Sequence, residues 1–245
     1  MKITVLVENT TRIDKYFLGE PALSLYIEVD GLSILFDCGY SNLFLANAQK
    51  LNINLNTLNY IIISHGHNDH TGGLRYLSPN KSTKLIAHPN IFDFKSDKDG
   101  EYGCPISRQE LGNKYSTILT TKEYKINENL YFLGQINNNP SEDIEDSALV
   151  YKTSKGLFII TGCSHAGILN IIKQAQEITG IKNIYGIIGG LHLINKPISE
   201  LEQIAQNLKD VNVIYPCHCC DLTSKIELSK ICNIKEVCTG DQINI

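Results

Sequence analysis

No stretch of this chain approaches the roughly 18 consecutive apolar residues of a membrane-spanning helix. Nor is there a cationic excess to hold nucleic acid or an anionic bilayer: 22 lysines and arginines face 26 acidic residues, a formal charge of −4. An anionic substrate would therefore need a local attraction, such as a bound cation. The opening MKITVLVENT alternates like a strand and lacks the basic, apolar and small-residue regions of a secretory leader, which predicts a cytoplasmic protein. Fixed-period repeats, low-complexity tracts and Pro/Gly/Ser-rich linkers are missing too. The 245 residues, 42% hydrophobic, are thus expected to form one domain, 1–245. There is no glycine-rich phosphate loop after a strand and no serine nucleophile elbow. Eight cysteines without a leader are read as reduced thiols rather than as four disulfides.

What is present is strand followed by helix, twice. Residues 3–7, 23–29 and 33–36 read as strands, the last two joined by Asp30-Gly31, a tight-hairpin pair. A helix over 41–51 carries Leu43, Phe44, Ala48 and Leu51 on one stripe, followed by strands at 60–63 and 84–87. Residues 89–109 are rich in Asp, Lys and Gly and read as a long surface loop. A second half then begins with strands at 115–119, 130–133, 148–152 and 157–160. Helices at 168–179, 199–209 and 222–231 follow, separated by strands at 183–188 and 211–215. Two sheets packed face to face with helices outside would bury both sets of strands.

The seven histidines are the most informative residues. Four apolar strands each run into one: Ile61-Ile62-Ile63 into His65, Phe158-Ile159-Ile160 into His165, Ile187-Ile188 into His192, and Val213-Ile214-Tyr215 into His218. One such histidine reads as a satisfied loop-edge residue. Four sharing one rim would gather imidazoles in a cleft, which is what zinc, iron or nickel requires. The segment Ser64-His65-Gly66-His67-Asn68-Asp69-His70 gathers three histidines, two of them additional, and a carboxylate within six residues, with Gly66, Gly72 and Gly73 available for tight turning. His65 and His67 can grip one ion while Asp69 and His70 face a second. Cys217-His218-Cys219-Cys220 also invites a zinc-finger reading, but no convincing second ligand pair accompanies it.

These motifs resemble the metallo-β-lactamase superfamily, and the likeness runs over nearly the whole chain. Leu35-Phe36-Asp37-Cys38-Gly39 is similar to its early strand end, and His65 to His70 to its metal motif. Thr161-Gly162-Cys163-Ser164-His165, Gly189-Gly190-Leu191-His192 and Pro216-Cys217-His218-Cys219 resemble a narrower group. That group is labelled 7,8-dihydropterin-6-yl-methyl-4-(β-D-ribofuranosyl)aminobenzene 5'-phosphate synthase. The resemblance implies an α/β fold, a four-layer αββα sandwich of two mixed sheets with helices outside. It also implies two divalent metal ions, zinc foremost and iron or manganese as alternatives. Their ligands would be His65, His67, Asp69, His70, His165 and His218.

Two departures stand out. The usual third histidine of the first metal is missing from residues 133–146, and His165 is the candidate replacement. Cys163 stands where most relatives carry a bridging aspartate, either as a thiolate ligand or as a small buried residue. Asp37 is expected to hydrogen-bond a ligand histidine on the ring nitrogen facing away from the metal, the alternative being a solvated turn. His192 is either an acid toward the leaving group or a more distant residue, and His88 either structural or a pocket wall. Asp221 is expected to cap the helix that follows it.

The implied activity is hydrolysis of a small molecule through a metal-activated water, with Asp69, His192 and Asp37 as catalytic residues. A pterin-arylamine condensation is the alternative, with Phe92, Tyr102 or Tyr115 stacking on a flat ring. A non-catalytic metal-dependent ligand sensor is the third reading. No nucleic-acid or membrane partner is expected.

Overall fold

The computed structural model describes residues 1–78, 80, 82–93, 96–97, 100–136 and 145–245. The chain forms two compact units, Met1–Thr120 with Val237–Ile245, and Thr121–Glu236. Among the described residues no helix is long and apolar enough to cross a membrane.

The first unit opens with β1 (Lys2–Val7), β2 (Ser24–Val29) and β3 (Leu32–Phe36), antiparallel neighbours rich in β-branched and aliphatic residues. Asp30 and Gly31 both take positive φ, 49° and 78°, as a two-residue hairpin of this twist demands. Helix α1 (Leu43–Lys50) buries Phe44 and Ala48. Next come β4 (Tyr60–Ile62), the four-residue helix α2 (Asn68–Thr71) and β5 (Lys84–Ala87). The segment 89–109, expected to be one loop, holds two short antiparallel strands, β6 (Ser96–Asp97) and β7 (Gly100–Glu101), and helix α3 (Arg108–Lys114) begins at its end. Residues 94–95 and 98–99 of that expected loop lie outside the described residues. Strand β8 (Ser116–Leu119) pairs parallel to β5 and so belongs to the first sheet, not to the second half as its sequence position suggested.

The second unit contains β9 (Tyr124–Lys125), β10 (Leu130–Phe132), β11 (Ala148–Thr153) and β12 (Gly156–Thr161), all antiparallel neighbours. Helix α4 (Ile168–Thr179) buries Ile168, Ile171 and Ala175, one face at helical spacing, and ends on Gly180 in the left-handed conformation. Then β13 (Ile184–Gly189), α5 (Ile198–Leu208), β14 (Val213–Pro216) and α6 (Leu222–Ser229) complete the unit. The chain finally returns to the first sheet as β15 (Gln242–Asn244), antiparallel to β1. The sheet orders are β15-β1-β2-β3-β4-β5-β8 and β14-β13-β12-β11-β10-β9.

Each unit has its own apolar core. In the first, Leu6, Leu35, Phe44, Ile61, Leu85 and Leu111 form one cluster; in the second, Leu157, Ile159, Ile171, Ile187, Leu201 and Ile214 form another. Both sheets are mixed, and their parallel portions matter most for chemistry. Strands β3, β4 and β5 are parallel, as are β12, β13 and β14, so each trio presents its C-terminal ends along one edge. The four histidine-bearing strands do not belong to one sheet, although one shared rim was the expectation from sequence. The strand leading to His65 lies in the first sheet and the other three in the second.

Candidate metal centre

In the first unit the site grows from the ends of β3 and β4. Asp37 follows β3 with φ of 54°, a conformation aspartate tolerates better than most residues. Its amide donates to Ile62 O at 2.9 Å, which fixes the turn against β4. The Asp37 carboxylate is fully buried and accepts three hydrogen bonds. Ser64 N donates to Oδ1 at 2.8 Å, Ser64 Oγ donates to Oδ2 at 2.7 Å, and His70 Nδ1 lies 2.7 Å from Oδ2.

Because the carboxylate only accepts, His70 Nδ1 must carry its proton, leaving Nε2 with a lone pair. The same logic passes through Ser64. Its hydroxyl proton points at Asp37, so its oxygen accepts from His65 Nδ1 at 2.9 Å, and His65 is likewise the tautomer with a bare Nε2. One buried carboxylate thus fixes the tautomers of two imidazoles, leaving each with an unprotonated ring nitrogen that could hold a metal. His67 stands at the N-cap position of α2 without a side-chain capping bond and lies edge-on to His65, ring centroids 4.7 Å apart. His65, His67 and Asp69 each bring a ligand atom to within 4.8 Å of the others. Asp69 Oδ2 lies 3.7 Å from His70 Nε2. Gly73 makes this closeness available: an added Cβ would collide with the Cys38 carbonyl oxygen, while Gly73 N donates to Gly39 O at 3.0 Å.

In the second unit, Ser164, His192 and His218 all follow parallel strands with positive φ of 60°, 52° and 53°. Such turns reverse the chain sharply at the sheet edge. Ser164 Oγ donates to Gly190 O at 2.7 Å and lies 3.0 Å from Thr161 Oγ1, tying the end of β12 to that of β13. This places the His165 and His192 rings 4.5 Å apart. The buried Asp146 accepts from the amide of Ala166, next to His165, at 3.0 Å. Cys219 Sγ donates to Cys163 O at 3.3 Å and accepts from His192 N at 3.2 Å. Burial pushes the Cys219 thiol up, but hydrogen bonds from the Cys163 and His192 side and the charge of His218 outweigh it. The net result lies well below the ordinary thiol range.

Several expectations change. Asp37 is no solvated turn residue, being buried and saturated with donors. His88 is a structural residue: its Nδ1 accepts from Asn90 N at 3.1 Å and caps the turn Pro89–Phe92. Tyr115 cannot stack on a substrate because it is buried in the first core, where burial pushes its hydroxyl pKa up. Phe92 packs on that core, with the Arg108 guanidinium 6.0 Å from its ring centre. Tyr102 does reach the metal motif, its ring 4.9 Å from that of His67. The zinc-finger reading of residues 217–220 fails, since Cys219 and Cys220 contact the backbone at 163 and 191–192. None of the eight cysteines is in a disulfide. Ser64 and Ser164 were given no role of their own in the sequence reading, Cys219 only the rejected zinc-finger one, and Asp146 was not singled out. For Ser64 the signal was its place between an apolar strand and the first histidine.

Two bare imidazole nitrogens beside a carboxylate suit zinc, and also iron or manganese, so the donors present fit a divalent ion. The model of the Metallo-beta-lactamase superfamily matches residues 18–167. The "7,8-dihydropterin-6-methyl-4-(beta-D-ribofuranosyl)-aminobenzene-5'-phosphate synthase" of Methanocaldococcus jannaschii is 30% identical, covering 89% of this chain and 87% of its own. An uncharacterized protein of the same archaeon is 29% identical over 94% and 95% of the two chains. Among solved structures, Tm1679, described as a metal-dependent hydrolase of the beta-lactamase superfamily, has a TM-score of 0.87 at 28% identity. It covers 100% of this chain and 99% of its own. YhfI of Bacillus subtilis, a metallo-beta-lactamase fold protein, has a TM-score of 0.62 at 12% identity over 99% of each chain, a likeness of fold. With more than half of its length matched by the family model and its fold shared from end to end with a superfamily member, this chain belongs to the metallo-β-lactamase superfamily.

Proposed function

We propose that the protein is a metal-dependent hydrolase acting on a small molecule. The observation that carries this reading is the buried relay His65–Ser64–Asp37–His70, which commits both Nδ1 atoms as donors and so supports both Nε2 atoms as metal ligands. His65, His67, Asp69 and His70 would hold two divalent ions together with His165, His218 and Cys163. These last three enter on the motif resemblance. Zinc is the first choice of ion, with iron or manganese as alternatives. Such ions supply Lewis acidity and bring the acidity of water into the neutral range.

The chain's own residues do the rest. Asp69, partly exposed, accepts a proton from the nucleophile and orients it. His192 donates a proton to the leaving group. Asp37 and Ser64 keep the ligand rings from turning. Elemental analysis of protein purified without chelator should find about two equivalents of transition metal per chain. Less than about half an equivalent, with no uptake on reconstitution, would sink the reading. His165→Ala should lose metal and phosphodiester or ester turnover together; full metal retention would remove His165 from the ligand set.

A second reading is favoured by the 30% identity to the archaeal synthase: condensation of a pterin with an arylamine ribosyl phosphate. Incubating the metal-loaded protein with both partners and following the coupled product by mass separates the two activities. Coupling without hydrolysis of generic esters would replace the first reading by the second.

A further inference from the structure

The second unit carries an open cavity of about 530 Å³ between the first turn of α4, the segment after β13 and one face of α5. That volume lies within the range of small-molecule sites. His165 and His192 line it, and Ile168, Leu193 and Ile204 give it apolar walls. Lys196 is the only lysine or arginine among its lining residues, and that charge is already taken. Its Nζ lies 2.6 Å from Glu200 Oε1, one helical turn on, and Glu200 lines the cavity as well.

Both members of the pair are about a third or more exposed, so the contact adds little to stability. Its effect is on charge. Ammonium and carboxylate cancel, and together they offer N–H donors beside acceptor lone pairs. A neutral amide-like edge can use both sides without breaking the pair. An anion must displace Glu200 or lie against it. In the first turn of α4, capped by Gly167 without a side-chain acceptor, Asn170 N donates to Gly167 O at 3.0 Å, and the amides of Ile168 and Leu169 are the donors suited to a carbonyl oxygen.

We propose that this cavity binds the non-reacting part of the substrate, that this part is neutral with an apolar body and an amide-like donor–acceptor edge, and that Glu200 sets the preference by occupying Lys196. The proposal rests on the reading of His165 and His192 as working residues of the hydrolase.

Two probes matched in shape, 4-phenylbutanamide and 4-phenylbutanoate, would be titrated calorimetrically into chelator-treated protein and again into metal-loaded protein. Wild type should bind the amide about tenfold tighter than the carboxylate under both conditions. Glu200→Gln, at a half-buried position and checked by its thermal midpoint, should shift that ratio about tenfold toward the carboxylate with little change for the amide. Equal or tighter carboxylate binding by wild type, an unchanged ratio in Glu200→Gln, or no binding of either probe at about 10 mM would each overturn the proposal. The chelated titration keeps this outcome separate from that of the metal assignment.

Discussion

Asp37 bears on function through what it accepts. Both of its oxygens take donors, so the amide nitrogen of Asp37→Asn would face a donor whichever way the group is turned. The least costly escape is for His70 to change tautomer, which protonates the nitrogen meant for metal. Asp37→Asn should therefore keep the fold but lose about 10- to 100-fold in metal affinity or turnover. A zinc titration, with imidazole nitrogen NMR to read the tautomer, checks both parts; unchanged affinity would deny Asp37 this role. Asp221 gives a stability prediction. It caps α6, accepting from Ser224 N at 2.7 Å, and also accepts from Asn195 N at 3.0 Å. Those two backbone bonds, Asn195 first, hold its carboxyl below the usual range. A lowered folded pKa means that the stabilisation is complete above the unfolded value and fades as pH falls through the folded one. Asp221→Ala should thus cost about 1 kcal/mol at neutral pH and progressively less below about pH 4. Urea midpoints across that range measure it. At this scale the histidines were legible because clustered imidazoles are chemically unusual, and Asp221 because it precedes a helical stripe. Asp146 was not, since a carboxylate in a polar, aperiodic stretch looks solvated until its partner, the Ala166 amide 20 residues on, is known.

Among elements, the turn Gly72–Tyr76 shows how tightly the metal motif is clamped. Cys38 N donates to His70 O at 2.8 Å and Gly73 N to Gly39 O, so the segments after β3 and after α2 are stitched together. Gly73→Ala would drive a methyl group into the Cys38 carbonyl and should cost about 3 kcal/mol or more. Metal content should fall with it, and a thermal midpoint within a degree of wild type would show that the clamp yields. Most elements followed from periodicity, as α4 did to the residue. Helix α3 did not, although Ser107 and Glu110 form a capping box whose bonds, 3.3 Å and 2.9 Å, are present. The Asp-, Lys- and Gly-rich stretch before it hid a seven-residue helix. Strand β8 was recognised as a strand but assigned to the wrong half. Its parallel partner β5 lies some thirty residues earlier, and parallel pairing leaves no local trace.

For the whole molecule, the chain leaves the first unit after Thr120 and rejoins it at Val237. The returning segment is well anchored. Arg12 grips Asp241 through two 2.8 Å bonds, Thr239 Oγ1 donates to Glu8 O at 3.0 Å, and β15 covers the edge of β1. A chain ending at residue 236 should lose this cover and expose an unpaired strand edge, so self-association measured by light scattering should rise. Amides of β1 should also exchange faster, by at least about tenfold. A monomeric truncation with unchanged exchange would show that β15 is dispensable. This return carries a consequence for the order of events during synthesis. Residues 242–244 are synthesised long after residues 2–4, the strand they pair with. Between the two the growing chain carries an open seam beside β1, the kind of unpaired edge that a chaperone shields.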